Sequence, residues 1–185
     1  MLISLITGMI LPPAGSRWCA GTRLQPAPGS ACPAESGVCL RALRVRDCRK
    51  FVRWAAGEGD ATIPEGLSGF GLWWWIHRRF DLACCIVADG TPRGIVGIYD
   101  AGNDKTAWVG LTIFDAAARR LGIGSTALRL LARLLRDGGV LRLSAEVKAG
   151  NDAAREFWTQ NGFSVTAGDG DRTILTANPG TLGRR

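Results

Sequence analysis

The stretch Phe114-Asp115-Ala116-Ala117-Ala118-Arg119-Arg120-Leu121-Gly122-Ile123-Gly124-Ser125 constrains this chain more than any other. It stands between a β-rich run, Thr106 to Phe114, and the clearest helix pattern in the sequence, Gly124 to Arg136. In that helix Ala127, Leu130, Leu131, Leu134 and Leu135 form an apolar stripe, and Arg129, Arg133 and Arg136 lie largely off it. Asp137-Gly138-Gly139 ends it. Two glycines one residue apart let the backbone turn tightly with no Cβ in the way. The first amides of the helix then point into the turn, at the positive end of the helix dipole. Leu121, Gly122, Ile123, Gly124, Ser125 and Thr126 would thus present a ring of N–H groups to a diphosphate, and Arg119 or Arg120 would add charge-assisted bonds. Such glycines also serve simply to make a turn, and both readings stand on this stretch alone.

Periodicity supplies the remaining elements. Val38 to Leu43 reads as a strand, with Asp47 capping a helix that runs through Trp54. A Gly-rich loop over 57–71 leads to the apolar run Leu72 to Ile76, a second helix. Leu82 to Ala88 and Gly94 to Tyr99 are β-rich runs joined by Asp89-Gly90-Thr91-Pro92-Arg93, a hairpin with a slightly long turn. Beyond the leucine-striped helix, Leu141, Leu143, Ala145 and Val147 alternate with Arg142, Ser144, Glu146 and Lys148. Asn151 or Asp152 opens a short helix carrying Ala154, Phe157 and Trp158, and Asn161-Gly162 ends it. Phe163 to Val165 and Thr173 to Ala177 close the domain as a hairpin. The order β-α-α-β-β-β-α-β-α-β-β predicts an α/β (α+β) fold, a mixed sheet with helices on its faces. Residues 1–37, rich in Pro, Gly, Ala and Ser after Pro12, are expected to be a poorly structured extension. The domain proper is expected over 38–177, with a flexible tail over 178–185.

Charge and cysteine usage narrow the function. The formal net charge is +7, carried by arginine, since Lys50, Lys105 and Lys148 are the lysines. Arg41, Arg44, Arg46, Arg49, Lys50 and Arg53 outnumber Asp47 in the densest stretch. A basic balance suits an anionic ligand and nucleic acid equally. The plain reading of this stretch is a solvated helix face, so nucleic acid is not an expected partner. The six cysteines form no CxxC pair and His77 is the single histidine, so no metal site is expected. Reduced thiols in a cytoplasmic protein follow. The apolar first eleven residues lack a preceding Lys or Arg and are broken by Pro12-Pro13. Neither a signal peptide nor a membrane span is expected.

Two motifs carry a resemblance. Arg119-x-x-Gly122-x-Gly124, following the strand Trp108 to Ile113, resembles the pyrophosphate signature of the GNAT superfamily of N-acetyltransferases. Asn151-Asp152-Ala153-Ala154-Arg155-Glu156-Phe157-Trp158-Thr159-Gln160-Asn161-Gly162-Phe163 is similar to that superfamily's N-x-x-A-x-x-[aromatic or Leu]-Y-x-x-x-G-F. The resemblance covers roughly residues 38–177. It implies a mostly antiparallel sheet whose strands 106–114 and 140–147 splay apart. It also implies acetyl-CoA as co-substrate, with Leu111, Thr112 and Ile113 offering backbone to its pantetheine arm. Asn151 matches an asparagine that contacts that arm, and reads equally well as a helix N-cap. Trp158 stands at a cofactor-side position where the family often has a tyrosine acid. An indole N–H donates a hydrogen bond but releases no proton at neutral pH.

An amine attacking a thioester needs a base for its ammonium proton and a donor for the leaving thiolate. Glu146 and Tyr99 are the candidate catalytic groups, and His77 is a further candidate base. Consecutive helical residues point in different directions, so Trp73-Trp74-Trp75 cannot all enter one core. Trp74, Trp75 and His77 are the candidate acceptor-binding residues. Leu40-Arg41-Ala42-Leu43 with Asp47 and Trp54 looks like the branch holding ribosomal-protein N-terminal and amino-sugar N-acetyltransferases. The implied partner is therefore a small-molecule or peptide amine, an amino sugar or a protein N-terminus, with a homodimer as an open expectation.

Other readings account for less. A Walker loop needs a lysine that the turn lacks. Gly122-x-Gly124-x-x-Ala127 fits a Rossmann fingerprint, with Glu146 about twenty residues on, but it lies too late in the chain for a doubly wound sheet. Trp158 motivates a non-catalytic acyl-CoA-binding module. The arginines and tryptophans motivate a nucleic-acid binder, which leaves the turn at 119–125 unexplained.

Overall fold

The structure is a computed structural model, and it describes residues 34–58, 66–101 and 104–182. The expected extension over 1–33, the middle of the Gly-rich loop (59–65) and the last three residues (183–185) lie outside the described residues. The strands are β1 (Ala34–Glu35), β2 (Val38–Ala42), β3 (Leu82–Ala88), β4 (Thr91–Ala101), β5 (Thr106–Ile113), β6 (Arg142–Lys148), β7 (Ser164–Gly168) and β8 (Arg172–Ala177). The helices are α1 (Val45–Glu58), α2 (Gly69–Arg79), α3 (Ile123–Asp137) and α4 (Asp152–Gln160). One sheet runs in the order β1-β2-β3-β4-β5-β6-β8-β7. Its neighbours are antiparallel except β5 and β6. Those two pair only at Thr106↔Arg142, Ala107↔Leu143 and Trp108↔Ser144. From Val109 onward they diverge, which is the splay the resemblance implied.

Strand alternation sends neighbouring side chains into two cores. Cys84, Ile86, Val96, Ile98 and Leu111 meet the apolar stripe of α3 together with Ala154 and Trp158 of α4. Cys85, Val87 and Ile95 face Cys48, Phe51 and Ala55 of α1 and Leu72 and Ile76 of α2. Buried positions three and four apart on each helix explain why these segments coil as they do. The two helical layers therefore lie on opposite faces of the sheet.

Four expectations need correcting. The sheet begins at Ala34, because Glu35 pairs with Val38 across a turn held by Ser36 and Gly37 at positive φ. The long hairpin turn is a two-residue Asp89-Gly90 turn with both φ positive, whose twist matches that of the strands it joins. Pro92 then falls inside β4, beside a bulge where its missing donor does no harm. Asp47 sits in the first turn of α1 rather than at its cap. Its carboxylate accepts the Arg44 amide at 3.0 Å and both guanidinium nitrogens of Arg41, at 2.6 and 2.9 Å. The start of the tail is tied down, since Asn178 Oδ1 accepts from Gly180, Asn178 O accepts from Thr181, and Leu182 packs on the core.

Candidate active site

The glycine turn is built in stages from the end of β5. Asp115 caps a single 3-10 turn, Ala116–Ala118, by accepting the Ala117 amide, and it pairs with Arg93. Arg119 Nε donates to the carbonyl of Ile113 at 3.0 Å, fastening the loop to the strand that precedes it. Arg120 (φ 62°) and Gly122 (φ 77°) both adopt the left-handed conformation. Gly122 is the N-cap of α3, and no side chain caps that helix. The amides of Ile123, Gly124 and Ser125 precede the first i→i−4 bond, so they face the turn. Thr126 leaves the expected ring, because its N–H donates to Gly122 O at 3.0 Å and its hydroxyl accepts from Arg129.

The two glycines do different work. A Cβ on Gly122 would meet nothing within 4 Å, so glycine there serves the positive φ. A Cβ on Gly124 would stand 3.2 Å from Phe157 Cε2 and 3.5 Å from Leu111 Cδ2. Glycine at 124 lets α3 start directly against α4 and β5.

A cavity of about 560 Å3 opens at this turn. Its polar wall is Arg119, Arg120, Gly122, Gly124 and Ser125, and its apolar wall includes Leu111, Ile113, Ala118 and Phe157. Main-chain donors and guanidinium at one end, with an apolar slot along the splayed strand, fit a ligand that joins a diphosphate to an extended arm. Ala153, Glu156, Phe157 and Gln160 also line it. They fall at helical spacing on one face of α4, a pattern that in sequence alone marks only a helix. Leu121 projects into solvent and the Ile123 side chain enters the core, so neither side chain lines the cavity.

Three expected residues behave differently from their neighbours. Thr112 turns its buried side chain to the face opposite Leu111, and its hydroxyl has no partner among the described residues. It offers the turn side only backbone. Asn151 is the N-cap of α4, its Oδ1 accepting from Ala154 N at 3.1 Å. Trp158 is fully buried, edge-on to Phe157 and Phe163, and it does not line the cavity. Its length and apolar body place it in the core beneath α4, and Phe157 meets the slot instead.

The opposite face carries a second group of side chains around the point where β5 and β6 part. Tyr99 is the extra residue of a bulge in β4, since Ile98 pairs with Val109 and Asp100 with Trp108. The bulge turns both Tyr99 and Asp100 away from the core that holds Ile98 and Ala101. The Tyr99 ring sits edge-on to Phe80 at 6.2 Å and 6.4 Å from the ring of Trp108. Burial, and next the negative charge of Glu146, push the Tyr99 hydroxyl up from its ordinary value. It therefore keeps its proton at neutral pH and can donate, not act as a base. Glu146, on β6, pairs with Arg172 of β8.

The aromatic triplet divides as helix geometry requires. Trp73 donates to Leu43 O at 3.2 Å, and Trp75 is half-buried beneath Arg79. Trp74 is 51 % exposed, with Arg78 stacked on it. His77 is exposed and lies against the Trp73 ring, its Nδ1 2.8 Å from Trp73 O. Trp74 and His77 thus sit away from the Leu72 and Ile76 side of α2 that meets the sheet. Among the described residues no group of His, Cys, Asp and Glu has the arrangement of a metal site. No helix there is long and apolar enough to cross a membrane.

With this geometry in view, comparison with known proteins gives one consistent result. The model of the acetyltransferase (GNAT) family matches residues 45–163. No curated protein matches the sequence. Among solved structures, the ribosomal-protein alpha-N-acetyltransferase RimL in complex with coenzyme A is 16% identical. It matches over 80% of this chain and 97% of its own, with a TM-score of 0.65. RimJ of Mycobacterium smegmatis, solved with a CoA disulfide, is 21% identical over 80% of this chain and 84% of its own, TM-score 0.64. The microcin self-immunity acetyltransferase MccE, solved with acetyl-CoA and AMP, is 15% identical over 78% and 93%, TM-score 0.66. At these identities the likeness is one of fold.

Proposed function

The chain belongs to the GNAT acetyltransferase family, and on that premise we propose that it is an N-acetyltransferase that moves an acetyl group from acetyl-CoA to a primary amine. The observation that carries this reading is the uncapped start of α3 behind a left-handed Gly122, at the mouth of a slot that runs along the diverging strands. The amides of Ile123, Gly124 and Ser125, with Arg120, would hold the diphosphate. Leu111, Ile113 and Phe157 would flank the arm, and the backbone of β5 beyond Trp108 would bond to it. Arg119 acts by fastening the turn to Ile113.

Acetyl-CoA supplies the activated thioester, and the amine forms the new C–N bond as the C–S bond breaks. The acceptor would approach the face that carries Tyr99 and Glu146. There the Tyr99 phenol donates a hydrogen bond to the negative charge that develops on oxygen or on the leaving sulfur. Glu146, held by Arg172, is a fixed negative charge that draws in the ammonium, whose first proton departs to water. The second proton, lost from nitrogen as the amide forms, passes through water to the leaving thiolate, which departs as the free thiol. We favour an amino sugar or a protein N-terminus as acceptor, in a cytoplasmic enzyme. A thiol-release assay with acetyl-CoA across amino sugars, peptide N-termini and polyamines tests the proposal. Turnover with one class is expected.

A second reading is a non-catalytic acyl-CoA-binding module. It is favoured by the burial of Trp158 and by the engagement of Glu146 with Arg172. Saturable acetyl-CoA binding with no thiol release on the whole panel would establish it.

A further inference from the structure

The outer surface of the α1/α2 layer takes no part in either side of the site described above. On α1, Cys48, Phe51 and Ala55 are buried, and Arg46, Arg49, Lys50 and Arg53 form the opposite stripe, at spacings of three and four. All four are exposed. α2 lies directly alongside. Gly69 is so close that a Cβ there would stand 2.4 Å from Arg49 Cγ, and Trp73 reaches back to the carbonyl of Leu43. With Leu72 and Ile76 buried, α2 turns Phe70, Trp74 and Arg78 outward. Phe70 is 60 % exposed, and Arg78 lies over the Trp74 ring at 5.0 Å. The acidic residue of this part of α1, Asp47, is buried with Arg41, so it does not offset the outward charge. Packing has thus merged two features that the sequence keeps some twenty residues apart, the arginine-rich segment and the tryptophan run.

We propose that this basic, ring-bearing surface of α1 and α2 is a docking site for single-stranded RNA. The chemistry is complementary in two respects. A row of guanidinium groups along a helix matches phosphates along a strand. The Trp74 face and the guanidinium stacked on it present a flat π-surface beside a cation, which suits an unstacked base next to its phosphate. An anionic membrane is matched less well. Insertion needs a broad apolar helix face with basic flanks, and here the outward positions are mostly guanidinium, with Phe70 and Trp74 set among them. The inference stands apart from acetyl transfer, because none of these residues lines the turn, the slot or the Tyr99 face.

The test uses the full chain and a fluorescein-labelled 12-nucleotide oligouridylate, followed by anisotropy from 50 to 300 mM salt. Contacts to about four phosphates predict a log–log salt slope near −3. R46Q/R49Q/R53Q keeps the side-chain stems that pack under Gly69, and it should lower the slope by about two units and the affinity at least tenfold. The control variant R129Q/R133Q/R136Q, which also removes three arginines, lies on α3 across the sheet and should change neither. Trp74→Leu should weaken binding about tenfold at constant slope. Melting temperature and acetyl-CoA affinity, unchanged in the three-arginine variant, show that its fold is intact. No RNA binding, binding indifferent to the three substitutions, or binding to phosphatidylserine vesicles in place of RNA would each overturn the proposal.

Discussion

At the start of α3, the groups that meet the proposed cofactor are main-chain amides, set by a left-handed Gly122 and by the helix behind it. On the other face Tyr99, Trp108, Glu146 and Arg172 arrive from four different strands, and each is placed by register, a bulge or an ion pair. The first arrangement is local, and it needs only a glycine with the right φ and an uncapped helix. The second exists only after the sheet has formed. The two halves should therefore fail differently. Substitutions at the turn should act on cofactor affinity at constant stability, while those around Tyr99, Glu146 and the ion pairs of that face should act through packing, turnover or acceptor affinity.

The largest effect should come from the ion pair that fixes α1 to β2. Asp47 is 2 % exposed and accepts from Arg41 twice. Asp47→Ala leaves the guanidinium without its partner and should cost about 3 kcal/mol, read by urea unfolding. Burial opposes the charged carboxyl, but Arg41 and the Arg44 amide outweigh it and hold its pKa below the usual carboxylate range. Its stabilising contribution is thus complete above about pH 4, the ordinary Asp value, and is lost as pH falls through the lower folded value. The gap between wild type and variant should close in acid. A constant gap would mean that Asp47 acts through shape and not charge.

Next comes a pair that isolates charge at the turn. Asn and Asp both tolerate positive φ, and a side chain on Gly122 has open space. Gly122→Asn should keep most acetyl-CoA affinity, whereas Gly122→Asp, of nearly the same shape, should lose about a hundredfold through repulsion of the phosphates. Isothermal titration separates the two. Equal losses would show that the turn works by conformation alone, and would remove the distinction drawn between the two faces.

The same division explains what the sequence disclosed. The turn, α3, the alternation of β6 and the order of elements were legible, because glycine spacing and apolar period are local properties. The family resemblance added the splay, which composition and period do not encode. The bulge at Tyr99 was not legible, since one extra residue in β4 leaves no mark on a run of apolar residues. The burial of Trp158 was hidden for a similar reason. Ala154 and Trp158 share the buried side of α4, and Phe157 next to them looks equally apolar but meets the slot. The outward ring of the tryptophan triplet was not legible, because the triplet is apolar throughout. Only Leu72 and Ile76, once packed, decide which of the three rings faces out.

A smaller effect is expected at Tyr99. Tyr99→Phe keeps the ring against Phe80 and Trp108 and removes one donor, so kcat should fall about tenfold, with acetyl-CoA affinity unchanged. Tyr99 is the chain's single tyrosine, so its ionisation can be followed directly by tyrosinate absorbance. Burial and the Glu146 charge raise its pKa, so the group should remain protonated past pH 10, and kcat should show no alkaline fall that depends on it. An alkaline limb near pH 9 present in wild type and absent in the variant would mean that the phenol ionises in the working range.

The smallest effect should be at Glu146. Its carboxylate oxygen accepts from Arg172, and under the proposed function it would act on the acceptor as a fixed charge across the gap. Glu146→Gln keeps the shape and removes the field. It should raise KM for the amine about fivefold, by the Coulomb attraction expected of one partly screened charge. The kcat should stay near wild type, and the difference should shrink as salt is added. If kcat collapses instead, then Glu146 releases Arg172 during turnover and serves as the base. The Tyr99 face would then hold a proton-transfer site of its own, and its side chains would decide the chemical step as well as the approach of the amine.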